Sequence, residues 1–171
     1  MKSFEVASFI FNLEQLDKEK IFSATEELLN SQVDDEVLFD VFEELIKHED
    51  HLLREIAAYA LGRLEYNEAL PLLKEAYFKA PFNRRSRYVY AMNNLDCAKE
   101  VKFLVQACLE ANFETQNHAI NILTDEDQDF LISKEECNEL LDLIHKNSNL
   151  DISSELEKIV IYFLDELKNE R

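Results

Sequence analysis

"REIAAYALGRLEYNEALPLL", residues 54–73, is the stretch that decides the fold. Ala57, Ala58, Ala60, Leu61 and Leu64 fall on one face at helical spacing, the pattern breaks near residues 65–68, and a second apolar-periodic segment carries Leu70, Leu72 and Leu73. The small side chains have a physical purpose: a column of alanines lets one helix lie close against its partner. Two helices joined by a short turn are therefore the unit to look for elsewhere in the chain.

Working outward, the 3.6-residue period predicts helices over 3–14, 18–30, 35–48, 51–65, 68–79, 84–95, 98–111, 114–124, 133–146 and 153–169, separated by polar clusters such as "NSQVDD", "HED", "APFN" and "NSNLD". The core positions then repeat. Arg85, Ala91 and Leu95 each lie 31 residues after Arg54, Ala60 and Leu64, and Phe103, Leu104 and Ala107 lie 31 after Leu72, Leu73 and Ala76. The same shift leads back to Val41, Phe42 and Leu45 and forward from Tyr88 and Ala91 to Ala119 and Ile122, whereas Leu140, Leu141 and Ile144 need a shift of 37. A stacked array of helix pairs accounts for such a period, because a single pair cannot bury its apolar face alone. The expectation is one all-α domain spanning 1–171: a right-handed α-solenoid of about four pairs, at 18–48, 51–79, 84–111 and 114–146, with 3–14 and 153–169 as caps.

Residues 54–73 resemble the short HEAT-like repeat first associated with phycobilisome lyases, with an arginine opening the first helix, the Ala57, Ala58, Ala60, Leu61, Gly62, Leu64 series, then Glu68, Ala69 and a leucine-rich second helix with Pro71 near its start. The resemblance is partial over 84–111, where Tyr88 and Asn93 replace Ala and Gly, and weak in the flanking pairs. It implies the HEAT-like fold and, for the lyase branch, chaperoning or attachment of a bilin, although no residue set in this chain carries such chemistry. The W…LG..Y and TPLH signatures of tetratricopeptide and ankyrin repeats are missing.

Composition narrows the partners. Thirty-six acidic against eighteen basic residues give a formal charge of −18, so a phosphate backbone is repelled and neither nucleic acid nor an anionic membrane is expected as a ligand. The first residues carry Glu5 within their apolar stretch and no small-residue cleavage site, and no run approaches the ~18 apolar residues of a membrane span, so a cytoplasmic location is expected. Cys97, Cys108 and Cys137 are odd in number and lack CxxC spacing, which favours buried thiols over disulfides or zinc.

"DEDQDFLISKEE", residues 125–136, sets Asp125, Asp127, Asp129 and Glu136 at the first, third, fifth and twelfth positions of a calcium-loop pattern, with Ile132 at its apolar position. Phe130 stands where such a loop turns on glycine. The expectation is an enlarged, acidic connection whose Phe130 and Leu131 fold back on the core, with a calcium-tuned scaffold as the alternative. "NRRSR", residues 83–87, is expected to place one arginine in the repeat's usual position and pair the others with carboxylates of neighbouring repeats. His48, His51 and His118 form no catalytic spacing, and His145 falls in an expected core column. No nucleophile triad, phosphate loop or dinucleotide motif is legible, so neither catalysis nor a cofactor is expected.

What remains is surface. On the second helices of the pairs, expected to line the concave side, Asp40, Glu43, Glu44, Glu75, Glu139 and Asp142 form an acidic rim around Lys74, Lys102, Gln106, Phe78 and Leu109. That arrangement suits a basic protein. The chain is similar in look to small acidic bacterial immunity proteins that neutralise toxin domains, including nucleases of contact-dependent systems, which implies occlusion of a basic toxin; a HEAT-repeat scaffold or bilin-lyase-like chaperone is the competing expectation.

Overall fold

The computed structural model describes residues 12–13, 16–110, 112–125, 127–146 and 154–169. They form nine α-helices and no strand: α1 (Lys18–Leu29), α2 (Asp35–Leu45), α3 (His51–Leu64), α4 (Ala69–Lys79), α5 (Ser86–Ala91), α6 (Val101–Glu110), α7 (Phe113–Leu123), α8 (Lys134–Lys146) and α9 (Ser154–Asn169). The expected helix 3–14 lies outside the described residues except for Asn12 and Leu13.

Acidic and amide caps start these helices where the polar clusters predict. Asp17 accepts from the Lys20 backbone N–H, Asp34 from Glu36, Asp50 from both Leu52 and Leu53, and Asn112 from Thr115, each satisfying donors that the first helical turn leaves open. Before α8, Ser133 and Glu136 exchange backbone-to-side-chain bonds at 2.9 and 3.2 Å, a capping box. Glu65, which closes α3, has φ 58°, a left-handed conformation more usual for glycine at a helix end.

The packing alternates along the chain. Helices α1, α3, α5, α7 and α9 touch one another in series, while α2 packs on α3, α4 on α3 and α5, α6 on α7 and α8, and α8 on α9. One cluster of buried side chains runs from Leu13 to Leu164. The repeated positions occupy it: Val41, Phe42, Leu45, Leu73, Ala76, Leu104, Ala107, Leu140, Leu141 and Ile144 are buried on the even helices, and Ala60, Tyr88, Ala91, Leu95, Ala119 and Ile122 on the odd ones and their ends. Leu72 is only partly covered.

The close approach expected of the alanine column is made to α5 of the next pair rather than to α4 of its own. Ala57, Ala58 and Ala60 are fully buried, and α3 comes so close to α5 that a Cβ on Gly62 would lie 2.4 Å from the Ala91 carbonyl oxygen. Glycine is required here by the approach of another backbone.

Hydrogen bonds between neighbouring pairs carry the period in their spacing. Tyr59 donates to Glu26 across 33 residues, Arg84 to Glu55 across 29, Ser86 to Glu114 across 28 and Asn112 to the Phe82 carbonyl across 30. The junction at 95–98 is held from both sides: Asn67 accepts from the Asp96 N–H, Gln128 accepts from the Cys97 N–H and donates to the Leu95 carbonyl, and the Leu131 N–H reaches the Ala98 carbonyl. The opening arginine of the pattern also has one job in both copies. Arg54 donates to the His48 and Glu49 carbonyls and Arg85 to the Ala80 carbonyl, so each ties down the segment that enters its own helix.

Four expectations need correction. The helix expected over 84–95 is broken into a 3-10 turn at Phe82–Arg84, the short α5 and a second 3-10 turn at Met92–Asn94. Asparagines cause part of this, because Asn93 bonds the Tyr90 carbonyl and Asn94 reaches the Gly62 carbonyl of α3, drawing side chain and backbone out of a continuous helix. His145 is exposed, one position beyond the column that Leu141 and Ile144 define. Leu109, expected on the surface, is 7% exposed because α6 turns this face toward the core. Leu131 is 55% exposed, so only Phe130 of that pair folds inward.

Candidate functional site

The acidic residues singled out from the sequence sit on α2, α4 and α8. Asp40, Glu44, Glu75, Glu139 and Asp142 are exposed and Glu43 is partly so. Lysines interleave them more than the sequence reading expects. Lys47 lies 3.0 Å from Glu43 and 3.5 Å from Glu44, Lys79 pairs with Glu75, and Lys74 and Lys102 reach across to Glu100 and Glu136 at 2.6 and 2.8 Å. The Lys79 ammonium holds the Glu75 carboxyl below its usual range, with Lys47, in the turn after α2, adding to the effect. Asp40, Glu139 and Asp142 make no ion pair among the described residues, although the Lys102 charge also feels Glu139 from a distance.

The calcium-pattern carboxylates are not gathered. Asp125 accepts from the Asp127 N–H within its own turn, and Glu136 is committed to Ser133 and Lys102. The Lys102 hydrogen bond, with those from Ser133, brings the Glu136 carboxyl down to about 2. Phe130 is buried and meets Phe163 edge-on at 5.3 Å between ring centres. Among the described residues no group of three or more His, Cys, Asp or Glu side chains is placed to hold a metal ion.

Cys97, Cys108 and Cys137 are free and buried, and burial pushes the Cys97 and Cys108 thiols up to about 12. No described helix is long and apolar enough to cross a membrane.

Of the "NRRSR" arginines, Arg84 lies 2.6 Å from Glu55 of the preceding pair and Arg85 stacks over the Tyr77 ring at 4.9 Å. Arg87 points elsewhere, into two clefts on the odd-helix side. The larger, about 750 Å³, lies among α1, α3 and α5 and includes Phe22, Ile56, Tyr59, Tyr90 and Arg87. The smaller, about 370 Å³, continues past Tyr90 and Arg87 to Glu114 and His118 of α7. Phe22 packs on Tyr59 at 5.4 Å and Tyr90 on His118 at 5.1 Å. Burial lowers the His118 pKa and favours the neutral imidazole, opposed by the Glu114 charge and aided by that of Arg87.

Arg87, expected to pair with a carboxylate of a neighbouring repeat, instead faces this surface, whose signal is present in the sequence. Tyr90 follows Tyr59, and His118 follows Arg87, by the same 31 residues that relate the core columns. Aromatic positions that keep the period yet stay partly exposed line a continuous groove.

No protein-family model matches the chain, and no curated protein matches it at a significant level.

Proposed function

We propose that the helix pairs form a HEAT-like α-solenoid whose even-helix side binds a basic protein partner, and that the protein acts as an immunity protein, covering the basic cleft of a toxin domain. The serial contacts of the odd helices and the near-constant spacing of the inter-pair hydrogen bonds support the solenoid. One observation carries the binding function: in a chain of net charge −18, Asp40, Glu139 and Asp142 stand exposed and unpaired among the described residues at both ends of the even-helix series. Between them Phe78, 52% exposed, offers an apolar contact. Occlusion needs only shape and charge, with no group of this chain taking part in chemistry.

Tagged protein used as bait in source-cell extract, washed with a salt gradient, is expected to release one basic protein over a narrow salt range and to inhibit it when bound. The triple variant Asp40→Lys, Glu139→Lys, Asp142→Lys should then slow association roughly tenfold or more at low salt and flatten its salt dependence. Unchanged association kinetics would remove this surface from the interface.

A further inference from the structure

Acids outnumber bases two to one in this chain, and the described arginines show the consequence. Arg54 binds two backbone carbonyls, Arg63 binds Tyr59 and lies 3.7 Å from Glu26, Arg84 binds Glu55, and Arg85 binds the Ala80 carbonyl and covers Tyr77. Arg87 differs from them. It is exposed, no ion pair or hydrogen bond reaches it among the described residues, and it stands where the two odd-helix clefts meet.

The surroundings of Arg87 limit what can pair with it. Glu55, in the same cleft, is engaged by Arg84, and Glu114, in the next, accepts from Ser86 at 3.2 Å. These carboxylates hold position on partners of their own and leave the guanidinium open, but their charge disfavours a second strongly charged anion. A doubly charged phosphate is penalised by them more than a single carboxylate is. The rest of the larger cleft joins an apolar and aromatic floor, with Phe22 46% and Tyr90 49% exposed and Leu52, Ile56 and Tyr59 beside them, to the polar Lys18, Glu19 and Ser23 of α1. Its volume of about 750 Å³ and its run across α1, α3 and α5 fit several consecutive side chains of a peptide.

We propose that this cleft is a second docking site, receiving a short apolar segment of a partner protein that carries one side-chain carboxylate, with that carboxylate paired to Arg87 in the forked geometry a guanidinium favours. The apolar side chains of the segment cover Phe22, Tyr59 and Tyr90, and the ion pair fixes its register. Binding here has the opposite salt response from binding on the even-helix side: the net charge of −18 repels an acidic segment, so its association strengthens as salt screens that field.

A random peptide library displayed on phage, selected in parallel on the wild-type protein and on Arg87→Glu, tests this directly. Arg87 is exposed, so the substitution leaves the core intact, and circular dichroism melting confirms that both baits are folded. The expected result is enrichment on wild type of sequences with two or more apolar residues around one Asp or Glu. Synthetic copies should bind Arg87→Glu at least about tenfold more weakly, and copies with Lys in place of the acid should regain affinity for that variant. Enriched sequences without a carboxylate, equal binding to both baits, or no enrichment would each overturn the proposal. Selection on the Asp40→Lys, Glu139→Lys, Asp142→Lys variant should recover the same sequences; their loss there would place the peptides on the acidic side and sink this site while leaving the other intact.

Discussion

The second pair, α3 and α4, and the fourth, α7 and α8, solve the same stacking problem by opposite means. In the second pair the connection is short, residues 65–68, and cohesion comes from nearness: alanines and Gly62 bring the backbone of α3 against that of α5. In the fourth pair the connection runs from 124 to 133, and cohesion comes from large side chains sent back from the loop, with Phe130 and Ile132 buried and Gln128 bonded to the preceding junction. One region is limited by available space and the other by available atoms. A period in sequence therefore does not imply one packing solution.

If that distinction is right, removing atoms should hurt the fourth pair and adding them should hurt the second. Phe130→Ala deletes a buried ring and its edge contact with Phe163, and should cost about 4 kcal/mol in urea-induced unfolding. A cost under about 1 kcal/mol would mean that the loop is not part of the core. Gly62→Ala should destabilise by about 3 kcal/mol, because the new methyl meets backbone that cannot rotate away. The sign is informative here, since at an open helical site the same change stabilises by about 1 kcal/mol; a stabilised variant would refute the close approach. Gln128→Ala strands the Cys97 N–H and the Leu95 carbonyl and should cost about 2 kcal/mol, read by thermal melting.

The smallest effect is one of pH. The Glu136 carboxyl is brought from 4.5 to about 2 in the folded protein, so its contribution is complete above pH 4.5 and is lost as pH falls toward 2. Glu136→Gln should flatten that part of the stability profile, lowering stability slightly at neutral pH, where the wild-type contribution is complete, and leaving it nearly unchanged near pH 2. A profile that superimposes on wild type would show that the capping box and the Lys102 pair contribute nothing.

Much of this was readable from residue order alone. The helix starts announced themselves through Asp17, Asp34, Asp50 and Asn112, since an acid or amide ahead of an apolar period is a local signal that tertiary packing does not override. The 31-residue columns were legible because burial is set by helix face. The fracture of 84–95 was not legible, because it depends on asparagine bonds to a neighbouring helix, and single-segment periodicity contains no neighbour. His145 and Leu109 were misplaced by one step around the helix, an error that period counting cannot correct where apolar residues adjoin. For the candidate surface, the identities of the exposed acids were readable, but their lysine partners Lys47, Lys79 and Lys102 were not, since long side chains choose partners by distance across turns and helices. The Arg87 cleft was hidden for the converse reason: a missing partner leaves no trace in sequence.

The hydrogen bonds that link neighbouring pairs span between 26 and 33 residues. If the pairs stack in the proposed solenoid, a chain fastened at such intervals should bend and stretch like a coil spring. Small bending can be shared among several junctions, each giving slightly, while a strong pull on the two ends works on one junction at a time. Stretched in an optical trap, the molecule should lengthen in steps of about one pair rather than in a single rupture, and on release should regain its length from whichever pairs remain closed. Elastic give of this kind would let both sides of the molecule adjust to an occupant without unfolding any helix.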